Sequence, residues 1–218
     1  MSRLRNIPGS RDRIAESSFC VKEPEKYKGR WNEVFGNGRK IHVEIGMGKG
    51  RFIMEQAGKN PDLNYIGIEM YSSVLVRAIE KAEEREAKGQ DVSNFRFIRM
   101  NAEELENVFE KGEIDRIYLN FSDPWPKDRH AKRRLTSDRF LELYYGLMDD
   151  GTSIEFKTDN DDLFDFSLGE FKDMGFELTD VTRDLHNSEF DEDNIRTEFE
   201  QKFADQGITI KRVVALMK

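Results

Sequence analysis

Three carboxylates stand at places in this chain where chemistry could be done. In "HVEIGMGKG", Glu44 precedes Gly46, Gly48 and Gly50, and "YIGIEM" reaches Glu69 23 residues after Gly46. In "IYLNFSDPWPKDRHAKRR", Asp123 sits in a turn stiffened by Pro124 and Pro126. Glycines between a strand and a helix let the backbone pass close to a ligand and leave amide donors at the helix N-terminus. Their spacing here is G-x-G-x-G, not the G-x-G-x-x-G of dinucleotide sites. An acid closing the next strand suits ribose hydroxyls. A second acid beside the turn would repel a pyrophosphate but suits a cationic ligand with an amino-acid end. S-adenosylmethionine, with its ammonium, sulfonium and ribose, has those features. Two solvated strand ends are the bland alternative, weakened by finding both acids together with the glycines. Asn101 and Ala102, after the third apolar run, could lie along an adenine edge, although Asn is also a common helix cap.

The elements that must position these groups follow from the apolar pattern. Strand-like runs "KIHVEIG", "NYIGIEM", "FRFIRM", "IDRIYLNF" and "TSIEFKT" alternate with helix-like segments, among them "RFIMEQAG", "SSVLVRAIEKAEEREAKG", "SDRFLELYYGLM" and "DLFDFSLGEFKDMG". Such alternation predicts an α/β fold: a doubly wound, mostly parallel sheet with helices on both faces. "FELTDVT" and "ITIKRVVALM" add two successive strands at the end, predicting an antiparallel C-terminal addition. Residues 1–18 lack periodicity and read as a mobile basic arm, with residues 19–218 as a single domain. In a doubly wound sheet the fourth strand neighbours the first. The loop bearing Asp123 would then overhang the cofactor crevice.

The net charge is −8, yet it is unevenly spread. Residues 127–134 hold five Lys/Arg against one acid, whereas residues 159–205 hold sixteen Asp/Glu against four Lys/Arg. A polyanion responds to the local field, so one face is expected to attract phosphate. Trp125 offers a ring on which a base could stack, and the cations after it could hold a nucleic-acid backbone. A single cysteine, Cys20, excludes an intramolecular disulfide, and no apolar stretch approaches a membrane span. Both point to a cytoplasmic protein. The segment "EEREAK" reads as a solvated helix face, His186 as a hydrogen-bonded structural residue, and Phe199 and Phe203 as core.

The motifs "EIGMGKG", "YIGIE", "YLNFSDPWPKDRHAKRRL", "FKTDN", "DLH" and "RTEFEQKF" together resemble the bacterial tRNA (guanine-N7-)-methyltransferase family from about residue 30 onward. "FSDPWPK" and "TEFE" are specific to that family, while the glycine turn is general to class I methyltransferases. The resemblance implies a Rossmann-like class I methyltransferase that transfers a methyl group from S-adenosylmethionine to N7 of guanine 46 in tRNA. It implies cofactor contacts from Glu44, Gly46, Gly48, Glu69, Asn101 and Asp123, with Asp123 also catalytic. Substrate contacts would come from Lys127, Asp159, Thr197, Glu198, Phe199 and Glu200. Arg129, His130, Lys132, Arg133 and Arg134 would form an RNA-interaction segment. Relatives often carry Asp where this chain has Asn101, so a strict carboxylate role is not expected there. The expected partner is tRNA, with neither metal nor membrane, and a homodimer is left open. Competing readings are a methyltransferase acting on an exocyclic amine, and an RNA-binding protein that keeps the fold without turnover. A nicotinamide dehydrogenase is the weakest.

Overall fold

The apolar runs of the first half become three parallel strands joined by helices. In the computed structural model, which describes residues 7–218, these elements are α1 (Ser10–Glu16), α2 (Asn32–Phe35), β1 (Ile41–Ile45), α3 (Arg51–Lys59), β2 (Asn64–Ile68), α4 (Ser72–Ala87), β3 (Phe95–Ile98) and α5 (Leu105–Val108). They belong to the first of two compact units, which ends at Glu110. β2 lies between β3 and β1, with Glu44 opposite Gly67 and Gly67 opposite Phe97. Every residue of β2 is buried, as a parallel strand covered on both faces requires. α4 buries Leu75, Val76, Ala78, Ile79 and Ala82, one stripe at helical spacing.

The second unit, Lys111–Lys218, contains β4 (Arg116–Asn120), α6 (Asp138–Leu147), β5 (Ser153–Thr158), α7 (Asp161–Asp173), β6 (Glu177–Thr182), α8 (Glu198–Ala204) and β7 (Lys211–Leu216). Its strand order is β4-β5-β7-β6. β4 and β5 are parallel, and β7 is antiparallel to both of its neighbours. The last strand of the chain thus inserts between β5 and β6. β6 is left at the edge, where its residues alternate between exposed and half-buried and a bulge interrupts its pairing between Thr179 and Thr182. Seven strands, mostly parallel, with helices around them and an antiparallel C-terminal strand, give the α/β class that the alternation predicted. No described helix is long and apolar enough to cross a membrane.

Residues 10–16, expected to lie in an aperiodic arm, form α1 instead. Ile14 and Ser10 are buried, Ser10 Oγ donates to Ser72 Oγ at 3.2 Å, and Arg13 pairs with Glu83 of α4. One inward apolar residue in seven leaves no period to read, which is why sequence pattern missed this helix. Residues 19–21 pair with β3: Phe97 N donates to the Phe19 carbonyl at 2.8 Å, and Val21 N donates to that of Phe97 at 2.9 Å. This covers a strand edge that would otherwise be open. Cys20 is buried in this segment, and burial pushes its thiol up to about 12. Arg3 and Arg5 of the expected arm lie outside the described residues.

Candidate active site

In the first unit, backbone amides build the site. The turn after β1 needs left-handed backbone at Gly46 (φ 77°), Gly48 (φ 57°) and Gly50 (φ 72°), which only glycine adopts freely. The amides of Gly46 and Met47 both donate to the Ile68 carbonyl, at 2.9 and 3.0 Å, anchoring the turn to the end of β2. Glu69, at 7% exposure, then closes the frame: Oε2 accepts from Gly48 N at 3.2 Å and Oε1 from Tyr71 N at 2.9 Å. Burial pushes the Glu69 carboxyl up, and the amides of Tyr71, Gly48 and Met70 pull it partly back. Glu44 is buried at the end of β1. Asn101 uses its side chain as a cap, accepting from Glu103 N at 3.2 Å.

Two of the three glycines face open space, where an added Cβ would meet nothing within 4 Å. These are Gly46 and Gly48. At Gly50 a Cβ would stand 3.0 Å from Ala78 Cβ, so that glycine serves helix packing as well as the turn. An open turn flanked by two buried acids fits S-adenosylmethionine. Its carboxylates suit hydroxyls and an ammonium, and they do not suit a pyrophosphate.

In the second unit, side chains build the site. The loop after β4 is strained: Phe121 has φ 53° and Trp125 φ 42°, conformations that cost on the order of 1–3 kcal/mol each for non-glycine residues. Asp123 is exposed within it. Arg134 reaches back across the loop, its Nε donating to the Pro124 carbonyl at 3.0 Å and its Nη2 to the Trp125 carbonyl at 3.2 Å. The Arg133 guanidinium lies 5.0 Å from the Trp125 ring centre, and His130 meets that ring edge-on at 5.7 Å. Residues 128–133 form one 3₁₀ segment, with Lys127, Arg129 and Lys132 exposed. The predicted RNA segment therefore splits: Arg134 donates to the loop and Arg133 and His130 lie against its Trp125, while Arg129 and Lys132 are exposed without such contacts to it.

The "TEFE" motif is the start of α8. Thr197 and Glu200 form a capping box, Glu200 N donating to Thr197 Oγ1 at 2.9 Å and Thr197 N to Glu200 Oε2 at 3.3 Å. Glu200 is fully buried and pairs with Lys157 of β5, equally buried, at 2.9 Å. Lys157 Nζ also donates to the Ile195 carbonyl and to Asn194 Oδ1, each at 3.0 Å. Asn194 Nδ2 donates to Glu200 Oε1 at 2.6 Å, and His186 Nε2 lies 2.9 Å from the same oxygen. Of the four predicted substrate contacts here, Thr197 and Glu200 have their side chains engaged inside the protein. Glu198 is half-buried, and Phe199, expected in the core, is 57% exposed and stacks on Phe203. Asp159 is half-buried, its carbonyl accepting from Lys211 Nζ at 3.0 Å, while Asn160 caps α7 through Leu163 N at 2.7 Å.

Sequence reasoning missed Lys157. Its signal was a lysine inside the otherwise apolar run "SIEFKT". "EEREAK" was read too simply: Arg85 Nη1 donates to the Met54 carbonyl at 3.1 Å and, with Arg51, Lys81 and Lys88, lines a polar groove of about 390 Å³.

The chain is similar to known methyltransferases. A family model described as "Putative methyltransferase" matches residues 38–213. A tRNA (guanine-N(7)-)-methyltransferase of Lachnoclostridium phytofermentans is 57% identical over 213 residues, covering 98% of this chain and 97% of the relative. Another, from Geobacillus sp. (strain WCH70), is 53% identical over 211 residues, covering 96% and 93%. Among solved structures, an antibiotic-related methyltransferase has a TM-score of 0.65 at 21% identity over 92% of this chain and 96% of its own, a likeness of fold. With near-complete coverage at more than half identity, the chain belongs to the tRNA (guanine-N7)-methyltransferase family.

Proposed function

We propose that this protein transfers a methyl group from S-adenosylmethionine to N7 of guanine in tRNA, at position 46 of the variable loop. The observation that carries the reading is the frame of Glu69, the Gly48 amide and the open glycine turn, in a chain more than half identical to enzymes of that name. Glu69 would accept from the ribose hydroxyls, Glu44 would face the cationic end, and Asn101 would lie along the adenine edge. S-adenosylmethionine, when bound, supplies an electrophilic methyl on sulfur. Guanine N7 has a free lone pair at neutral pH, so no residue need remove a proton before attack. The work left to the protein is placement and exclusion of water.

Methylation leaves positive charge on the purine. Asp123, an exposed carboxylate in a held loop, is suited to orient the base and balance that charge rather than to act as a base. Lys127, Arg129 and Lys132 are free to reach phosphate, and Phe199 presents a ring to a nucleotide. Thr197 and Glu200 serve the substrate indirectly, by fixing where Glu198 and Phe199 begin. Unmodified bulk tRNA incubated with the protein and methyl-labelled S-adenosylmethionine tests this. Nucleoside mass spectrometry and mapping should return 7-methylguanosine at position 46. Label on an exocyclic amine, or no transfer beside normal cofactor binding, would replace the reading by one of its competitors.

A further inference from the structure

We propose that Arg134 is a positioning residue for the Asp123 loop and not a contact to RNA. The inference rests on the reading that this loop serves the methyl transfer. Its basis is the geometry of one guanidinium. Arg134 is half-buried, whereas Arg129, Lys132 and Arg133 in the same stretch are exposed. Two of its N–H groups are already directed at consecutive backbone carbonyls, those of Pro124 and Trp125. Its flat face lies 4.3 Å from the Phe166 ring centre on α7. Glu170, one turn further along α7, is close enough for the two charges to interact, and its carboxylate accepts from Asp138 N at 2.6 Å. Thr136 and Ser167 hydroxyls meet at 2.7 Å, so the chain just past Arg134 is tied to the same helix.

The loop needs such a brace. Pro124 and Pro126 have no N–H, so the turn cannot close on itself through those positions. Trp125 between them is held at φ 42°, and Phe121 at φ 53°, conformations that persist only where surroundings enforce them. A planar fork donating to the carbonyls on either side of the Trp125 amide fixes the peptide that follows Asp123 by one residue. The same guanidinium, stacked on Phe166, refers that peptide to α7. An ammonium could supply the charge, but neither the fork nor the stacked plane.

Arg134→Lys and Arg134→Ala separate bracing from phosphate contact, assayed in the full-length protein with tRNA and cofactor saturating. Both variants should slow single-turnover transfer by about 10²-fold, as expected for small misplacement of a reacting group. The slope of log tRNA affinity against log salt should stay at the wild-type value in both. Asp123→Asn combined with Arg134→Lys should be no slower than Asp123→Asn alone, because the arginine acts through the carboxylate. A wild-type rate in Arg134→Lys would overturn the proposal, as would a salt slope reduced by about 0.9 in Arg134→Ala. If melting shows that Arg134→Ala does not fold, Arg134→Lys decides alone. A wild-type rate in Asp123→Asn would remove the loop from the chemistry altogether. A slow Asp123→Asn beside a fast Arg134→Lys would remove only the role given to Arg134.

Discussion

The two units hold their buried acids by different means. In the first, Glu69 is fixed by the amides of Gly48 and Tyr71, close to it in the turns at the ends of β1 and β2. In the second, Glu200 is fixed by the Lys157 ammonium, 43 residues away in sequence, and by Asn194 and His186. The amide frame leaves an open turn beside a partly uncompensated carboxylate, which suits binding a small cationic ligand. The ion-paired frame fills its own interior and leaves the neighbouring Glu198 half-buried and Phe199 exposed. A buried acid held by amides is thus available to a ligand, and one held by a buried cation is not. The Asp123 loop follows the second pattern, with a side chain, Arg134, as its brace.

The largest effect should come from the ion-paired frame. Lys157→Met strands a buried carboxylate and should cost about 3–5 kcal/mol of stability at neutral pH. Burial pushes the Glu200 carboxyl up, but the Lys157 ammonium and the hydrogen bonds from Lys157, Asn194 and His186 outweigh it, holding the group below its ordinary 4.5. A folded value below the unfolded one gives stability that is present above about pH 4.5 and is lost as pH falls through the folded value. The gap between Lys157→Met and wild type in urea unfolding should therefore narrow between pH 7 and pH values below 4.5. A gap that does not change with pH would mean that the pair is not what holds α8.

The amide frame should show its effect in binding. Glu69→Ala removes the acceptor proposed for the ribose hydroxyls and should weaken S-adenosylmethionine binding by about 1.5–3 kcal/mol, read by titration calorimetry. Unchanged affinity would make Glu69 a brace like Glu200 and erase the contrast. Gly50→Ala should have the smallest effect, about 1–2 kcal/mol of stability for forcing a Cβ into left-handed backbone. It also crowds Ala78 and Met54. Denaturant midpoints would show it, and a loss well below that range would mean that the turn relaxes and glycine is not required there.

The readable parts of the molecule were those whose physics is local. Strand and helix order followed from apolar period, and the glycine turn followed from spacing. The acids at strand ends followed from chain position, because a strand end fixes which residue emerges at the sheet edge. Helix α1 stayed hidden because one buried Ile14 makes no pattern. The placement of β7 between β5 and β6 depends on pairing, about which alternation says nothing.

Sequence alone determined the residue types available at each strand end and turn, and through its motifs the family. Only the tertiary structure decided which of those residues remain open to a ligand. Arg133 and Arg134 read like Arg129 as RNA-contacting cations until packing placed Trp125, Phe166 and two carbonyls beside them. Glu200 read like Glu198 until Lys157 met it inside the protein. The physical reason is that a charged side chain's role is set by what desolvates and pairs it, and those partners come from segments distant in the chain.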